Sequence, residues 1–483
     1  MRSVPAPLAA LLAAGALLSL AWNLAVAPFA GFDEADHVAY VARLAEAATP
    51  PEATTGTKSY SDAQGTALEF TGFLRVVGNV EARPPWSAVA FDEFRRYERG
   101  LPASDAGSGV GPNALAKNPP LYYAYEALAW HLTPGGGLFA RLFVMRLASG
   151  LLLLVAIAAA WLMAAELFRT RILPRVVVAG TVALHPLAGF LSGILNTDGA
   201  LLAAWTIFLW LALRLLRLGP APLRVASVSL AAAAAVLIHG RGLAIVPVLL
   251  VALAVTAVRH RPGRRVAALS AAAATATLGA ALLLYRAFTA AAGGGGLYGG
   301  ELNFGPSAGF SVRELVSFVW QFYLPPLRSM GSRLGPEYGF GQVFVDTWWG
   351  SFGSFEVQYP KWVHDLVSLG LIGGAVACLA TGARQFERLV RERWQQGLIV
   401  LASLFTLLAF LHLASYRALL GGSMDPLITG RYLMPLTPIV GVAAGYLVVS
   451  ARRAGPYLAA GLLASLTALS ITGIALTAVR FGV

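Results

Sequence analysis

Apolar runs of about 20 residues recur along the whole chain and alternate with polar segments. A run of this length crosses the hydrocarbon core of a bilayer as a helix. We therefore predict an all-α polytopic membrane protein whose residues 1–483 form a single transmembrane domain of about 11 helices. The predicted spans are Pro7–Phe29, Arg141–Phe168, Pro174–Leu191, Asp198–Leu216, Arg224–Ile238, Leu243–Val258, Val266–Phe288, Trp362–Ala380, Gly397–Leu413, Tyr432–Val449 and Tyr457–Ala478.

Two long polar segments interrupt this pattern, at residues 31–118 and 293–361. The first is followed by an aromatic stretch at residues 119–132, which is too short as a helix to cross a core of about 30 Å. We predict that this stretch is an interfacial helix lying on the membrane. The second polar segment begins with the flexible run Gly293–Gly296, and we expect it to form a mobile lid.

Arginine is concentrated in five short loops between predicted spans. Counting residues 119–132 as interfacial puts all five loops on one side, which the positive-inside rule identifies as cytoplasmic. This arrangement explains the net charge of +12 without a nucleic-acid partner and puts both long polar segments outside. The five groups are Arg169/Arg171/Arg175, Arg214/Arg217/Arg224, Arg259/Arg261/Arg264/Arg265, Arg384/Arg388/Arg391/Arg393 and Arg452/Arg453.

An acidic motif opens the first outer segment, in a chain that is only 12% charged. It reads Gly31-Phe-Asp-Glu-Ala-Asp-His-Val-Ala-Tyr40 and follows the first span directly. Residues three, four and seven apart share a helix face, so a helix here places Asp33, Asp36 and His37 together. Two interpretations follow: a chemical site, or a helix that Asp33 caps while Glu34 remains a solvated first-turn acid.

Further polar and aromatic candidates lie on the same predicted side of the membrane. Structural alternatives are Asp198 as the N-cap of its span, His239 and Arg241 as interfacial anchors, and Trp348 and Trp349 as part of an interfacial belt. Arg431 opens a span from the outside and needs an anionic partner, either a lipid phosphate or an acid such as Asp425. The candidates are Lys117, Tyr122, Asp198, His239, Arg241, Trp348, Trp349 and Arg431.

Five motifs of the chain resemble the GT-C superfamily of integral-membrane glycosyltransferases, both in their order along the sequence and in their predicted position on the extracytoplasmic side. The similarity is to a bacterial branch and, more distantly, to the lipid A aminoarabinose transferase and protein O-mannosyltransferases. It covers essentially the whole chain. The motifs are Asp33-Glu34 with His37, Lys117-Asn-Pro-Pro-Leu-Tyr-Tyr123, Asn196-Thr-Asp198, Thr347-Trp-Trp-Gly-Ser-Phe-Gly353 and Gly430-Arg-Tyr-Leu-Met-Pro435.

The resemblance implies an inverting transfer from a polyprenyl-phosphate-linked sugar to a glycan, lipid or protein acceptor. The acid after the first span would be the general base, with Asp33 the first choice and Glu34 the second. Asp36 and His37 would orient the base or, with Asp33 and Asp198, hold a divalent cation such as Mg²⁺ or Mn²⁺. Asp198 matches the position of a second acid.

The resemblance also suggests residues that bind the donor. Lys117, His239, Arg241 and Arg431 would bind the lipid phosphate, although Asn118 separates Lys117 from the prolines of the family motif. Trp348, Trp349 and Tyr122 would stack on the sugar. The protein would be multi-pass in a bacterial inner membrane, among membrane lipids, with its site on the extracytoplasmic face.

A transporter or flippase of lipid-linked glycans is the main alternative, together with a non-catalytic protein of envelope assembly. Such a transporter needs polar groups or broken helices near the membrane midplane. The predicted spans are almost purely apolar at their centres, with His185 and His412 as exceptions. This distribution favours the enzyme.

Overall fold

The computed structural model describes residues 4–51, 59–77, 79–84, 87–102, 112–291, 309–330, 341–420 and 429–482. Within them the chain is overwhelmingly helical, and the predicted all-α fold class is confirmed. The glycine run 293–296, Asp425 and parts of the expected lid lie outside the described residues. The helices are α1 (Ala6–Ala25), α2 (Glu34–Ala47), α3 (Asp62–Phe70), α4 (Phe73–Val76), α5 (Ala88–Gly100), α6 (Leu121–His131), α7 (Leu138–Phe168), α8 (Ile172–Ala183), α9 (Pro186–Ser192), α10 (Thr197–Leu218), α11 (Pro222–Ile238), α12 (Ile245–His260), α13 (Arg264–Ala291), α14 (Val312–Tyr323), α15 (Thr347–Gly350), α16 (Lys361–Arg384), α17 (Phe386–Leu420), α18 (Thr437–Ser450) and α19 (Gly455–Phe481).

Short irregular elements connect several of these helices. Two strands, β1 (Ser351–Phe352) and β2 (Val357–Gln358), form an antiparallel hairpin in which Ser351 faces Gln358. The remaining elements are 3-10 turns at Gly240–Ala244, Gly430–Leu436 and Arg452–Ala454 and a π-helical turn at Gly341–Asp346.

The helices match the predicted spans in number and order. Among the described residues, nine helical segments are long and apolar enough to cross a membrane, or ten if a bent pair counts as one span. The shorter apolar helix α11 adds the remaining predicted span. These segments follow the order of the eleven predicted spans, and the chain is a multi-pass membrane protein.

One predicted span is broken. The sequence pattern predicted a continuous helix over Pro174–Leu191, whereas α8 ends at Ala183 and α9 begins at Pro186, with a bend of 54° between them. Pro186 causes this break because proline lacks an amide N–H and its ring clashes with the carbonyl four residues earlier. The buried His185 ring at the break packs against Trp349, at 4.5 Å between ring centroids.

The protein core surrounds α10, which packs against α7, α11 and α12. Within its apolar stretch 72% of the residues are buried, compared with 0% for α16 and 11% for α13. The outer helices therefore present apolar faces that a soluble protein would have to cover, as expected where lipid surrounds the chain.

The polar elements collect at one end of this bundle. Helix α2 packs on α6, and α6 packs on α7, so the predicted interfacial helix is covered by protein along one face. Its Tyr123 and Trp130 are buried while Leu121 and Leu128 are exposed. The start of α10 and the 3-10 turn Gly430–Leu436 also contact each other, and the candidate site lies at this end.

Candidate active site

A pocket of about 260 Å³ lies where these polar elements meet. It is formed by segments that are far apart in the sequence, between residues 33 and 432. Most of the charged candidates named from the sequence line it. The lining residues are Asp33, His37, Ala114, Leu115, Lys117, Asn118, Asn196, Thr197, Asp198, His239, Arg241, Arg431 and Tyr432.

Asp33 lies just ahead of α2 and not within it. Its backbone is left-handed, with φ 54°, and its side chain makes no capping hydrogen bond. Asp33 therefore occupies the N-cap position of α2, but its side chain does not cap the helix. A left-handed non-glycine residue is uncommon and costs roughly 1–3 kcal/mol, so the surrounding structure must enforce it. The side chain is 50% exposed, and its Oδ2 accepts a hydrogen bond from Arg431 Nη2 at 3.2 Å.

Glu34 points the other way, into the protein. It is fully buried, and its two oxygens accept hydrogen bonds from Arg146 at 2.8 and 2.6 Å. The backbone amide of Leu195 donates to Oε1 at 3.0 Å. Arg146 also donates to Val26 O at 2.8 Å, at the C-terminal end of α1. Glu34 is therefore neither a solvated acid nor part of the pocket lining, and it fixes the start of α2 against α1 and α7.

We expect the variant Glu34→Gln to be destabilised strongly. Neutralising one member of a buried pair leaves the Arg146 guanidinium uncompensated, which costs about 3–5 kcal/mol. Thermal melting of the purified protein in detergent measures this loss. Glu46→Gln is the control, because its pair with Arg141 at 3.1 Å is partly exposed and should contribute about 1 kcal/mol or less. Equal melting temperatures for the two variants would show that the buried pair has no special role.

His37 is buried and lines the pocket. Its Nδ1 lies 3.1 Å from the Tyr123 hydroxyl, which also accepts a hydrogen bond from Asn118 Nδ2 at 3.1 Å. The hydroxyl keeps its proton and a second lone pair, so it donates to Nδ1 or accepts from it according to the tautomer of the ring. Burial lowers the pKa of His37 to about 4, so the imidazole is neutral at physiological pH.

Asp36 does not join this group. Its Oδ1 accepts a hydrogen bond from Tyr60 at 3.0 Å, and the residue does not line the pocket. Burial raises its carboxyl pKa. The alternative interpretation, a locally hydrogen-bonded acid, describes Asp36 better than the predicted role in orienting the base.

Asp198 sits between two arginines. Its Oδ1 accepts a hydrogen bond from Arg241 Nη2, and its Oδ2 lies 3.9 Å from Arg431 Nε. The N-cap of α10 is Asn196, whose side chain accepts a hydrogen bond from the Asp198 amide at 2.8 Å. The interpretation of Asp198 as the helix cap is therefore wrong, and this buried carboxylate holds both guanidinium groups in place.

Arg431 is supported by aromatic faces as well as by acids. Its guanidinium carbon lies 4.5 Å from the centre of the Phe32 ring and 5.2 Å from that of Tyr432. Its carboxylate partners in the described chain are Asp33 and Asp198, and its Nη2 also donates to the Tyr432 hydroxyl at 3.4 Å. Lys117 lines the same pocket, and no carboxylate of the described residues pairs with its ammonium group.

The aromatic candidates lie outside the pocket lining. Trp348 and Trp349 are buried against His185, at 5.1 and 4.5 Å between ring centroids. Tyr122 is buried too, and its hydroxyl accepts a hydrogen bond from the Asn196 amide at 2.9 Å. These three side chains do not line the pocket, so their stacking on a sugar stays a prediction. Tyr432 is the tyrosine that lines the pocket among the described residues.

The predicted metal ligands are not arranged as a metal site. Across the ranges that the structure describes, no group of three or more His, Cys, Asp and Glu side chains is placed to hold a metal ion. Asp33 and Asp198 face guanidinium groups, and Asp36 faces Tyr60. The donor set named from the sequence does not fit a divalent cation.

Sequence reasoning missed Arg146, Tyr123 and the tyrosine that follows Arg431. Arg146 lies in a long apolar helix, and an ionisable residue in such a helix indicates a buried partner. That signal was present in the sequence, but it does not identify Glu34 as the partner. Tyr123 stands within a named motif, and its link to His37 depends on the packing of α6 on α2.

Comparison with known proteins gives a family and a distant structural likeness. No curated protein sequence matches the chain. Two solved structures of ArnT from Cupriavidus metallidurans, a GT-C glycosyltransferase, are similar to it, one bound to undecaprenyl phosphate and one in the apo state. Their identities are 14% and 13%, their TM-scores 0.41 and 0.39, and both alignments cover 91% of this chain. The chain spans about 60% of the length of these ArnT chains. A family model described as a predicted membrane protein matches residues 16–440, and the chain therefore belongs to the DUF2142 family.

Proposed function

We propose that this protein is an inverting glycosyltransferase that takes a sugar from a polyprenyl-phosphate-linked donor. The observation that carries the proposal is one pocket that combines a half-exposed carboxylate, Asp33, with the cations of Lys117, Arg241 and Arg431. Transfer from a lipid phosphate needs both groups: a base for the acceptor hydroxyl and positive charge for the departing phosphate.

Asp33 is the proposed general base. Its carboxylate takes the proton from the acceptor hydroxyl while the hydroxyl oxygen forms a bond to the anomeric carbon. The bond between that carbon and the phosphate oxygen breaks, and its electron pair leaves with the polyprenyl phosphate. Attack and departure occur on opposite faces of the sugar, so the configuration inverts. Asp33 suits this role best because its carboxylate is exposed in the pocket, whereas Glu34 and Asp198 are buried in ion pairs.

The charges of the pocket favour the product side of the reaction. A phosphate linked to both a lipid and a sugar carries one negative charge, and the released monoester carries about −1.5 to −2 near neutral pH. Three cations against the carboxylates of Asp33 and Asp198 leave positive charge for an anion. This charge interacts more strongly with the leaving phosphate than with the intact donor, which is the condition for lowering the barrier.

We infer that the pocket faces the extracytoplasmic side of a bacterial inner membrane. Helix α10 has Asp198 in its first turn, at the pocket, and Arg217 in its last turn. Helix α18 begins after Arg431 and ends before Arg452. The arginine-rich loops therefore lie at the opposite helix ends from the pocket, which supports this orientation. The acceptor would be a glycan, lipid or protein, and the segment 293–361 is proposed as a lid over the site.

The purified protein tests this proposal directly. We would incubate it in detergent or nanodiscs with a panel of polyprenyl-phosphate-linked sugars and a mixture of candidate acceptors. We expect release of free polyprenyl phosphate from at least one donor, with transfer of its sugar. A folded preparation that consumes none of the donors and binds no polyprenyl phosphate would contradict the assignment.

A further inference from the structure

His239 lies at the turn between α11 and α12, where it opens the 3-10 turn Gly240–Ala244. The turn packs tightly on α11, because a Cβ atom at Gly242 would overlap the carbonyl of Ala235. His239 and Arg241 are both buried at the pocket wall. This close packing fixes the backbone from which both side chains project.

The Nδ1 atom of His239 accepts two hydrogen bonds from the same residue. The backbone N–H of Arg241 donates to it at 3.1 Å, and the Arg241 Nε–H donates at 3.3 Å. A ring nitrogen that accepts hydrogen bonds carries no proton, so the proton of the neutral ring is on Nε2. Burial and the neighbouring Arg241 charge hold the pKa of His239 well below its usual value, which keeps the ring neutral.

The rest of the Arg241 guanidinium is also held. Its Nη2 donates to Asp198 Oδ1, and its carbon lies 4.1 Å from the centre of the Tyr432 ring. The Nη1 atom is buried and has no hydrogen-bond partner within the described part of the chain. Contacts with His239, Asp198 and Tyr432 therefore fix the Arg241 guanidinium. Its Nη1 atom, at the pocket wall, remains available to donate a hydrogen bond.

We infer that His239 is a positioning residue that orients Arg241, so that Arg241 Nη1 meets the phosphate of the lipid carrier. This inference rests on the proposed function. His239 itself need not touch the donor, because its effect passes through the Nδ1 acceptor. The alternative role, an interfacial anchor, depends on ring size and polarity and not on that nitrogen.

Two amide substitutions distinguish the roles of the two ring nitrogens of His239. The oxygen of Asn lies near the position of Nδ1, so His239→Asn keeps the acceptor for Arg241, whereas the longer Gln places its amide near Nε2. The probe is farnesyl phosphate, titrated against purified protein, with farnesol as the uncharged control. We expect His239→Asn to bind within about threefold of wild type, and His239→Gln and Arg241→Gln to bind at least about tenfold more weakly. Farnesol binding should stay unchanged in all three.

Nitrogen NMR of the histidine rings in the unmodified protein gives a second measurement. The His239 signal, identified by its absence in His239→Asn, should report a protonated Nε2 and an unprotonated Nδ1. A proton on Nδ1, or equal loss of binding in the Asn and Gln variants, would overturn the inference. If wild-type protein binds no farnesyl phosphate while the ring has the expected tautomer, the positioning of Arg241 stands and the proposed function fails.

Discussion

Asp33→Asn should reduce the turnover of sugar transfer by about a thousandfold, within the range that a positioned general base contributes. The asparagine keeps the shape of the side chain but cannot take a proton from the acceptor hydroxyl. Donor binding should be unchanged or tighter, because Arg431 loses the carboxylate that pairs with it at 3.2 Å in the ligand-free pocket. The measurement is kcat with a saturating polyprenyl-phosphate-linked sugar, together with the Kd of that donor.

Asp36→Asn is the matched control for this variant. Asp36 lies three residues further along and accepts a hydrogen bond from Tyr60, which an asparagine oxygen also accepts. Its turnover should stay within about tenfold of wild type, a small effect beside that of a catalytic base. An Asp33→Asn protein that melts normally and turns over as fast as Asp36→Asn would remove Asp33 from the proposed mechanism.

The membrane architecture followed from the sequence because its signals are local. The length of each apolar run defines a span, and the arginine of the loops defines a side. The same reasoning predicted that Lys117, Asp198, Arg241 and Arg431 lie at one end of the bundle. In the structure these four residues line one pocket. The broken span was missed because the hydrophobic pattern continues through Pro186, although the proline itself indicated an interruption.

The choice between neighbouring acids did not follow from the sequence. Asp33 and Glu34 are adjacent in the sequence. If the motif is a helix, both acids lie in its first turn, so the pattern does not show which of them faces the pocket. The left-handed backbone at Asp33 and the buried Arg146, 112 positions away from Glu34, separate their roles. The burial of Trp348 and Trp349 could not be predicted from the sequence either. An aromatic pair in an outer loop can stack on a sugar or pack into the protein core.

The ion pairs of the pocket form one connected network that a donor would have to enter. Asp198 holds Arg241 and also lies 3.9 Å from Arg431. Arg431 in turn holds Asp33 at 3.2 Å. A phosphate that pairs with Arg431 competes with Asp33 for the same guanidinium. Donor binding would therefore free the proposed base, and both events depend on Arg431.

Arg431→Gln should lower kcat/KM by about 100- to 1,000-fold, the effect of removing one group that stabilises developing charge. The loss should fall on both donor affinity and turnover, because Arg431 contacts the proposed phosphate site and the base. Arg431→Lys should recover only part of the activity, since an ammonium group cannot reproduce the planar contacts with Phe32 and Tyr432.

The control for Arg431→Gln is Lys361→Gln, which removes a cation from an exposed pair with Asp365 at 2.8 Å, outside the pocket. Its steady-state kinetics should match those of wild type, because an exposed pair contributes little to stability and nothing to this pocket. Measuring kcat and KM separately for the donor distinguishes the outcomes. If Arg431→Gln folds normally and only the acceptor KM changes, Arg431 acts on the acceptor alone, and the assignment of the phosphate to this end of the pocket is wrong.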